Sequence, residues 1–253
     1  MNPKGQITIF VALGIAIITL VVIGYYFVSS SQMSAAETEA EIASKLPADV
    51  AEVRKEVSEC IQYTLEDAIV QAGMFGGYTE PRQNALFTGT DFVNYAMENK
   101  KKTLPLIEEV QNNIESYIET YAYDCVDTEN DKFKITLPAP KAKVDISSKK
   151  VYAEVEFRIA LKAGDSTFTF SEPFAAESSV RLLELYNAAD KIADKTAESP
   201  ENINVDYLLT LGEEVDVIPF DEKNVIYRIP DKSVILRSEL GNMNFAMVFA
   251  TKA

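Results

Sequence analysis

One uncharged apolar segment near the amino terminus constrains this chain more than any other feature. Residues Ile7–Val28 form a run of 22 residues that is interrupted only by two threonines and two glycines, and no acidic or basic side chain occurs from Gln6 to Ala36. At about 1.5 Å per helical residue, this run spans roughly 33 Å, which is enough to cross a hydrocarbon core of about 30 Å. The segment is therefore predicted to be a transmembrane helix, with the lipid bilayer as its partner.

The charges on either side of this segment indicate its orientation. Lys4 and the amino terminus precede the run, whereas three glutamates follow it before the first base, Lys45. Basic charge marks the cytoplasmic side of a membrane helix, so we expect a single-pass cell-membrane protein with its C-terminal domain outside. The apolar core is also longer than the roughly 7 to 15 residues of a cleavable secretory signal, which favours a permanent anchor.

The residues at the start of the anchor carry a resemblance. The sequence M-N-P-K-G-Q-I-T-I-F is a short basic leader that ends in Lys-Gly before Gln and an apolar helix, and it resembles the class III signal peptide of archaeal type IV pilin-like proteins. The resemblance implies signal processing at Lys4, Gly5 and Gln6, with a prepilin peptidase cutting between Gly5 and Gln6. Such pilins usually carry Glu at the fifth mature position, where it is thought to pair with the amino terminus of a neighbouring subunit. This chain has Phe10 there, which argues against ordinary filament assembly.

Composition excludes several classes of function. The chain has no histidine, which excludes Ser-His-Asp triads, His-ligated zinc and haem held by histidine. Its 39 acidic and 24 basic residues give a formal net charge of −15, so nucleic acid is not an expected partner. The two cysteines, Cys60 and Cys125, fall on the side of the membrane that is predicted to be oxidising, where we expect them to pair.

Helical periodicity dominates the first half of the predicted outer part. Residues 29–46 have no apolar face and predict a polar stalk, which is either a solvated continuation of the membrane helix or a flexible spacer. Residues 47–130 predict a helical subdomain. It contains one amphipathic helix that begins at Pro47 and ends at Gly73, and a second that begins at Pro105.

The two cysteines lie on the apolar stripes of these two helices. Cys60 follows Val57 by one turn on the first helix, and Cys125 extends the stripe of the second. Packing the stripes together would bring the sulfurs within bridging range and join the two helices. The polar outer face of this pair is predicted to comprise Glu52, Lys55, Glu59, Glu66, Glu108 and Glu115.

After Asp131 the apolar period changes from 3.6 towards 2, which indicates β-strands. Four runs between 133 and 169 predict an antiparallel sheet with short turns, and a long helix with an apolar stripe over 180–193 follows. A short helix near 205–211 precedes further strands. Residues 131–253 therefore predict an α+β extracytoplasmic subdomain. The fold class is α+β, with an N-terminal transmembrane helix, disulfide-linked amphipathic helices and then a mainly antiparallel sheet with one long helix.

Motifs spread over most of the chain widen the resemblance. They are K-G-Q-I-T-I-F before the apolar helix, V-S-E-C, G-G-Y, I-E-S-Y-I-E-T-Y-A-Y-D-C and a final F-A-M-V-F-A-T-K. Together they resemble a group of uncharacterised single-span surface proteins of archaea. The resemblance implies this topology and the disulfide, and it carries no known reaction.

Two polar motifs each combine a chemical hypothesis with a plainer structural interpretation. Asp127, Glu129 and Asp131 begin like a calcium loop, but the later glycine and glutamate of an EF-hand are absent, which favours a solvated connection. Ser147 and Lys150 have the S-x-x-K spacing of a serine nucleophile pair, but they fall in a predicted hairpin turn. We predict no catalytic and no metal-binding residue from either motif.

The G-G-Y segment also has two interpretations. In the functional one, Phe75 and Tyr78 flank a ligand groove; in the structural one, aromatics beside glycines lock a tight turn onto a neighbouring sheet. The structural interpretation is favoured, and no cofactor is expected.

We expect this chain to be a membrane-anchored cell-surface protein rather than an enzyme. Its α+β outer part would bind or support another envelope protein, or associate with a second copy. The alternative is a type IV pilin-like filament subunit, which the leader indicates and Phe10 opposes. A hydrolase that uses carboxylates alone is a third hypothesis, since the chain has many acidic pairs.

Overall fold

The structure, a computed structural model, describes residues 34–200, 202–238 and 241–252. The predicted leader, membrane span and signal-processing residues Lys4, Gly5 and Gln6 lie outside these ranges. Within them, no helix is both long enough and apolar enough to cross a membrane.

Helices occupy three parts of the described chain. They are α1 Ala35–Ser44, α2 Ala48–Met74, α3 Ile107–Tyr121, α4 Leu182–Glu198 and α5 Val205–Thr210, with a 3-10 turn at Ala122–Cys125 after α3. The helices α2, α3, α4 and α5 confirm the helical periodicities of the sequence, and α1 was not predicted as a separate, packed helix.

Strands fill most of the remaining described chain. They are β1 Leu86–Phe87, β2 Phe92–Val93, β3 Tyr95–Glu98, β4 Lys101–Lys102, β5 Lys134–Thr136, β6 Lys141–Ile146, β7 Val151–Glu156, β8 Ala160–Ala163, β9 Ser166–Thr169, β10 Phe174–Ser178, β11 Asp216–Pro219, β12 Asn224–Ser238 and β13 Gly241–Lys252. With one exception their pairings are antiparallel, so the predicted α+β class with a mainly antiparallel sheet is confirmed.

A five-stranded sheet in the order β11-β12-β13-β3-β4 forms the centre of the fold. Alternate residues Phe245, Met247 and Phe249 of β13 are buried on the face where α2 and α4 pack. The opposite face carries Ile226 and Ala250, which are covered by the β1–β2 hairpin. This alternation is what a sheet with both faces covered requires.

Helix α2 approaches β13 so closely that one position of the helix admits no side chain. A Cβ at Gly73 would lie 2.4 Å from Phe245 Cε2 and 2.5 Å from the backbone oxygen of Ala246. The glycine therefore allows the helix and the strand to pack at this distance.

The strands between 134 and 178 form two small sheets rather than the predicted single one. Their orders are β10-β7-β6 and β5-β8-β9. The run that was predicted as one strand is interrupted between β7 and β8, where the N–H of Ile159 donates to the carbonyl of Phe157 at 2.8 Å. Both Phe157 and Ile159 are buried, so the apolar alternation continues through a break in the hydrogen-bonded ladder.

Helix side chains complete the hydrogen bonds of β6, an edge strand. Gln111 Nε2 donates to the carbonyl of Val144 at 2.9 Å, and Glu115 Oε1 accepts the N–H of Val144 at 2.8 Å. One turn further along α3, Glu119 Oε1 accepts the N–H of Ala142 at 3.0 Å. Glu115 therefore does not belong to a solvated outer face, as the sequence predicted, because it takes the place of a neighbouring strand.

One hydrophobic core joins the two halves of the chain. It includes Val57 and Ile69 of α2, Ile114 of α3 and Phe249 of β13 in a single cluster. The strand β3 also enters the central sheet, where it lies parallel to β13. The predicted boundary between subdomains 47–130 and 131–253 is therefore wrong, because a strand and two helices of the first segment pack into the sheet of the second.

Candidate functional site

Helix α1 begins with its own capping box at Ser34. Ser34 has extended backbone angles, its N–H donates to Glu37 Oε2 at 3.0 Å, and the N–H of Glu37 donates to Ser34 Oγ at 3.2 Å. This reciprocal pair satisfies two donors at the start of the helix. The predicted polar stalk over residues 29–46 is therefore wrong for its described part, because residues 35–44 form a helix that packs on α2 and β10.

A buried carboxylate attaches α1 to the rest of the fold. Glu39 is 9% exposed and Arg54 of α2 is 1% exposed. Arg54 Nε donates to Glu39 Oε2 at 3.0 Å, and Arg54 Nη2 donates to Glu39 Oε1 at 3.1 Å. The N–H of Ala175 on β10 also donates to Glu39 Oε1, at 2.9 Å. Glu39 thus joins α1, α2 and β10 at one point.

The guanidinium of Arg54 has further partners that do not depend on α1. Its Nη1 and Nη2 donate to the carbonyls of Glu172 and Pro173 at 3.2 and 2.8 Å. It also lies over the ring of Phe174, 4.4 Å from the centroid. Removing one member of a buried ion pair typically costs about 3–5 kcal/mol, because the other charge is left without its partner. These contacts favour a fixed position for Arg54 whether or not Glu39 is present.

A groove between α1 and α2, called here the α1–α2 groove, has a volume of about 960 Å³. Alanines of both helices and longer polar side chains line it: Ala36, Ala40, Ala43, Ala48 and Ala51 among the small residues, and Asp49, Glu52, Glu59, Gln62 and Arg237 among the polar ones. Methyl groups give little chemistry and allow close packing, so the groove suits packing of a polypeptide segment better than catalysis.

The charges at the rim of the groove are paired with one another. Lys132 Nζ lies 3.0 Å from Asp49 and 3.5 Å from Glu52, and its hydrogen bond to Asp49 raises the pKa of Lys132. Arg237 Nε lies 2.9 Å from Glu66 Oε2. Burial alone would raise the pKa of Glu66, but hydrogen bonds from Arg237 and Gln62 hold that pKa below its ordinary value. Glu66 is thus part of an ion pair and not of a free outer face.

The disulfide that the sequence predicts is present. Cys60 of α2 bonds to Cys125, and their Cα atoms are 5.3 Å apart. Cys125 lies at the end of the 3-10 turn and not on α3 itself, and its sulfur is 3.7 Å from Thr64 Oγ1. The Tyr117 hydroxyl of α3 donates to Asp67 of α2. The two helices are therefore joined by both a covalent bond and a buried polar contact.

The G-G-Y segment has the structural role that was favoured. Gly76 has φ +62°, and the N–H of Gly77 donates to the carbonyl of Ala72 at 2.6 Å, which is the pattern of a Schellman motif at the end of α2. A Cβ on Gly77 would meet Pro105 Cγ at 2.7 Å. Phe75 and Tyr78 form a bridge across the turn. Gly76 is needed for its positive φ, and Gly77 is needed because the side chains of Pro105 and Val110 pack against its backbone.

The acidic run 127–131 forms turns that hold its own backbone. Asp127 Oδ1 accepts the N–H of Glu129 at 2.9 Å, and Asn130 Oδ1 accepts the N–H of Lys132 at 2.9 Å. Among the described residues, no group of three His, Cys, Asp or Glu side chains is arranged to hold a metal ion. The turns fit the solvated connection that the sequence favoured.

The Ser147 hydroxyl contacts the backbone of Lys150 and not its side-chain amine. Ser147 Oγ donates to the carbonyl of Lys150 at 2.8 Å and accepts its N–H at 3.2 Å. Lys150 Nζ lies instead 2.9 Å from Glu177 Oε2. The pair closes the hairpin turn between β6 and β7.

A second buried acid, Asp231, was not found from the sequence. It is fully buried in β12, where the N–H groups of Arg181 and Ser233 donate to it at 3.2 and 3.0 Å. Burial would raise the pKa of Asp231, but hydrogen bonds from Ser233 and Arg181 lower it overall. The Arg181 guanidinium also contacts Glu213 at 3.1 Å, and this contact raises the pKa of Arg181. The cluster fixes the start of α4 on the sheet.

Comparison of the chain with known protein families, with curated proteins and with solved structures found no match.

Proposed function

We propose that this protein is a membrane-anchored, extracytoplasmic surface protein with a structural or binding role and no catalysis. The Cys60–Cys125 disulfide carries the proposal, because disulfides form and persist in oxidising compartments and are rare in the cytosol. It agrees with the uncharged run Ile7–Val28, whose flanking charges predict that everything after Val28 is outside. The two arguments are independent, since one concerns redox chemistry and the other concerns hydropathy.

A binding or supporting role is favoured by how the polar groups are used. Glu39, Arg54 and Asp231 are each held by several hydrogen bonds within the fold. Such groups stabilise a scaffold and have little freedom to exchange protons with a substrate. The α1–α2 groove offers a packing surface to another envelope protein or to a second copy. A defined turnover by the purified protein against hydrolase or transferase substrates would contradict this role.

Topology is tested on the full chain with a C-terminal tag in sealed membrane vesicles. Protease added to right-side-out vesicles is expected to remove the tagged domain and to leave a short N-terminal fragment in the membrane. Inverted vesicles should protect the domain until detergent is added. Protection in the right-side-out vesicles, or release of the chain by alkaline washing, would contradict the anchor or its orientation.

A matched variant separates a membrane anchor from peripheral binding. Ile17 and Leu20 lie at the centre of the uncharged run, and each arginine at such a position costs roughly 2.5–3.5 kcal/mol of insertion free energy. The double variant I17R/L20R is therefore expected to lose the membrane fraction, whereas an exposed change in α2, Glu56→Ala, should not. Retention of the double variant in the membrane would show that another part of the chain provides the attachment.

A pilin-like filament subunit is the second candidate, and the leader Lys4-Gly5-Gln6 is the observation that favours it. Electron microscopy of cell surfaces with and without the gene distinguishes the two roles. Loss of a filament with the gene would favour the subunit, whereas unchanged filaments would favour the anchored surface protein.

A further inference from the structure

We infer that α1 is a releasable strap that sets how far the folded domain stands from its membrane anchor. The strap is defined as residues 34–44, and the hinge as Lys45–Pro47. When the strap lies on α2, the first residue held on the described domain is Ser34; when it is released, the first residue held there is Pro47. The effect on the distance between the domain and the membrane rests on the proposed anchoring. The release of α1 from α2 does not depend on it.

A polar contact provides most of the attachment of the strap. The buried residues of α1 are Ala35 and Glu39, and Ile42 and Ala43 are half-buried, so a single alanine contributes fully buried apolar surface from this helix. Hydrophobic stabilisation scales with the apolar area buried, and an alanine methyl contributes little. The attachment therefore depends on Glu39, which accepts hydrogen bonds from Arg54 and Ala175.

Release of the strap leaves the rest of the site supported. Without Glu39, Arg54 keeps the carbonyls of Glu172 and Pro173 and its position over Phe174. The carboxylate of Glu39 regains water when the helix leaves. Arg54 loses its carboxylate partner but keeps these three neutral contacts, so opening is local and does not require unfolding of α2.

The hinge permits this motion. Lys45 and Pro47 are exposed, whereas Leu46 between them is half-buried against the core. Pro47 is the N-cap residue of α2 with φ −55°, a value that the proline ring imposes with or without α1. The first turn of α2 is also tied to a distant loop, because Lys132 Nζ contacts Asp49 at 3.0 Å. The start of α2 thus has support that is independent of the strap.

The change in reach follows from covalent geometry. At no more than about 3.5 Å per residue, the six residues 29–34 span at most about 21 Å, whereas the nineteen residues 29–47 span at most about 65 Å. A docked strap keeps the domain close to the bilayer, and a released strap lets it reach a partner roughly three times further away. The strap therefore controls which surfaces of the envelope the domain contacts.

Hydrogen exchange of the full chain in nanodiscs tests the release. In Glu39→Gln the carboxylate is replaced by a neutral amide of the same size, and amides of residues 35–44 are expected to exchange about 100-fold faster while α2 and the sheet stay protected. Glu41→Gln is the matched control, since Glu41 lies on the same helix and pairs with Lys45 in solvent. Unchanged exchange of α1 in Glu39→Gln, or loss of protection throughout the domain, would overturn the inference.

Energy transfer in the same nanodiscs tests the reach. A dye on a cysteine introduced at Asp165, which is exposed in the β8–β9 turn, reports the distance to dye-labelled lipids. Lower transfer efficiency in Glu39→Gln than in Glu41→Gln supports the strap, and equal efficiency overturns its effect on reach. A wild-type chain that does not enter nanodiscs would overturn the anchor and the reach together, and hydrogen exchange in solution would still decide whether α1 is released.

Discussion

The contact between α2 and β13 at Gly73 gives the sharpest prediction about the core. Substitution of Gly73 by alanine adds one methyl group that would lie 2.4 Å from a ring carbon of Phe245 and 2.5 Å from the carbonyl oxygen of Ala246. The ring can shift, but the carbonyl belongs to a strand that is paired with Pro230 of β12. The helix must therefore move away from the sheet to accept the methyl group.

Two opposing effects decide the magnitude. Alanine stabilises a helix interior by about 1 kcal/mol relative to glycine. Overpacking a core costs about 1–3 kcal/mol, and a clash with the backbone of a strand inside the sheet belongs at the upper end of that range. We therefore expect Gly73→Ala to lower the free energy of unfolding by about 2 kcal/mol, which corresponds to a melting temperature lower by about 4–8 °C for a domain of this size.

Thermal and urea unfolding of the full chain in detergent, followed by circular dichroism, measures this effect. Glu56→Ala is the control, because Glu56 is exposed on the same helix and its replacement should change the stability by less than about 0.5 kcal/mol. A Gly73→Ala variant that is as stable as the wild type, or more stable, would refute the reasoning. It would show that helix propensity outweighs the contact and that the sheet yields easily at Ala246.

Three further predictions concern the disulfide, acid and processing. Replacing Cys60 and Cys125 by alanine should lower the free energy of unfolding by about 2–5 kcal/mol, as measured in urea, and equal stability with and without reductant would contradict this. Because the folded-state pKa of Asp231 is lowered, its stabilisation is present above its unfolded pKa of about 4 and is lost as the pH falls through the folded value. The urea midpoint should therefore fall on acidification, and less steeply in Asp231→Asn. Sequencing of the mature protein should find Gln6 as its first residue, whereas a start at Met1 would indicate an uncleaved anchor.

The helices and the disulfide were predictable because their signals are local. Apolar residues recur at helical spacing along α2 and α3, and Cys60 continues the stripe of α2. Such periodicity depends on neighbours three or four positions away, which a sequence shows directly. The pairing of the sulfurs then follows from packing two stripes together.

The sequence did not predict the contact between α1 and the rest of the fold, because polar residues form that contact. Glu39 looks like one acid of a solvated segment, and its partners Arg54 and Ala175 are 15 and 136 positions away. An apolar pattern cannot reveal a buried carboxylate. For the same reason, the sequence did not predict the hydrogen bond that the N–H of Val144 donates to Glu115. An arginine inside the apolar face of α2 was the one available signal, since Arg54 lies four residues after Val50 and three before Val57.

The parallel pairing of β3 with β13 was beyond sequence reasoning for a different reason. Short strands such as β3 have weak patterns, and nothing in Tyr95–Glu98 specifies a partner near the other end of the chain. Long-range pairing of this kind is decided by the whole core, in which Ala96 and Met97 are fully buried.

That pairing also determines when the domain can fold during its synthesis. Because β3 takes its place between β4 and β13, its side chains Ala96 and Met97 have no complete surface to pack on until residues 241–252 have emerged. Synthesis at about 5–20 residues per second means a delay of roughly 7–30 s between the emergence of β3 and that of β13. When β3 emerges, α2 is already present, whereas α4 and three of the five strands of the sheet, β11, β12 and β13, have not yet been made. The early helices α2 and α3, which the Cys60–Cys125 disulfide joins, can form a folding nucleus before that point; under the proposed export, a holding chaperone outside the membrane is the other way to protect the incomplete sheet.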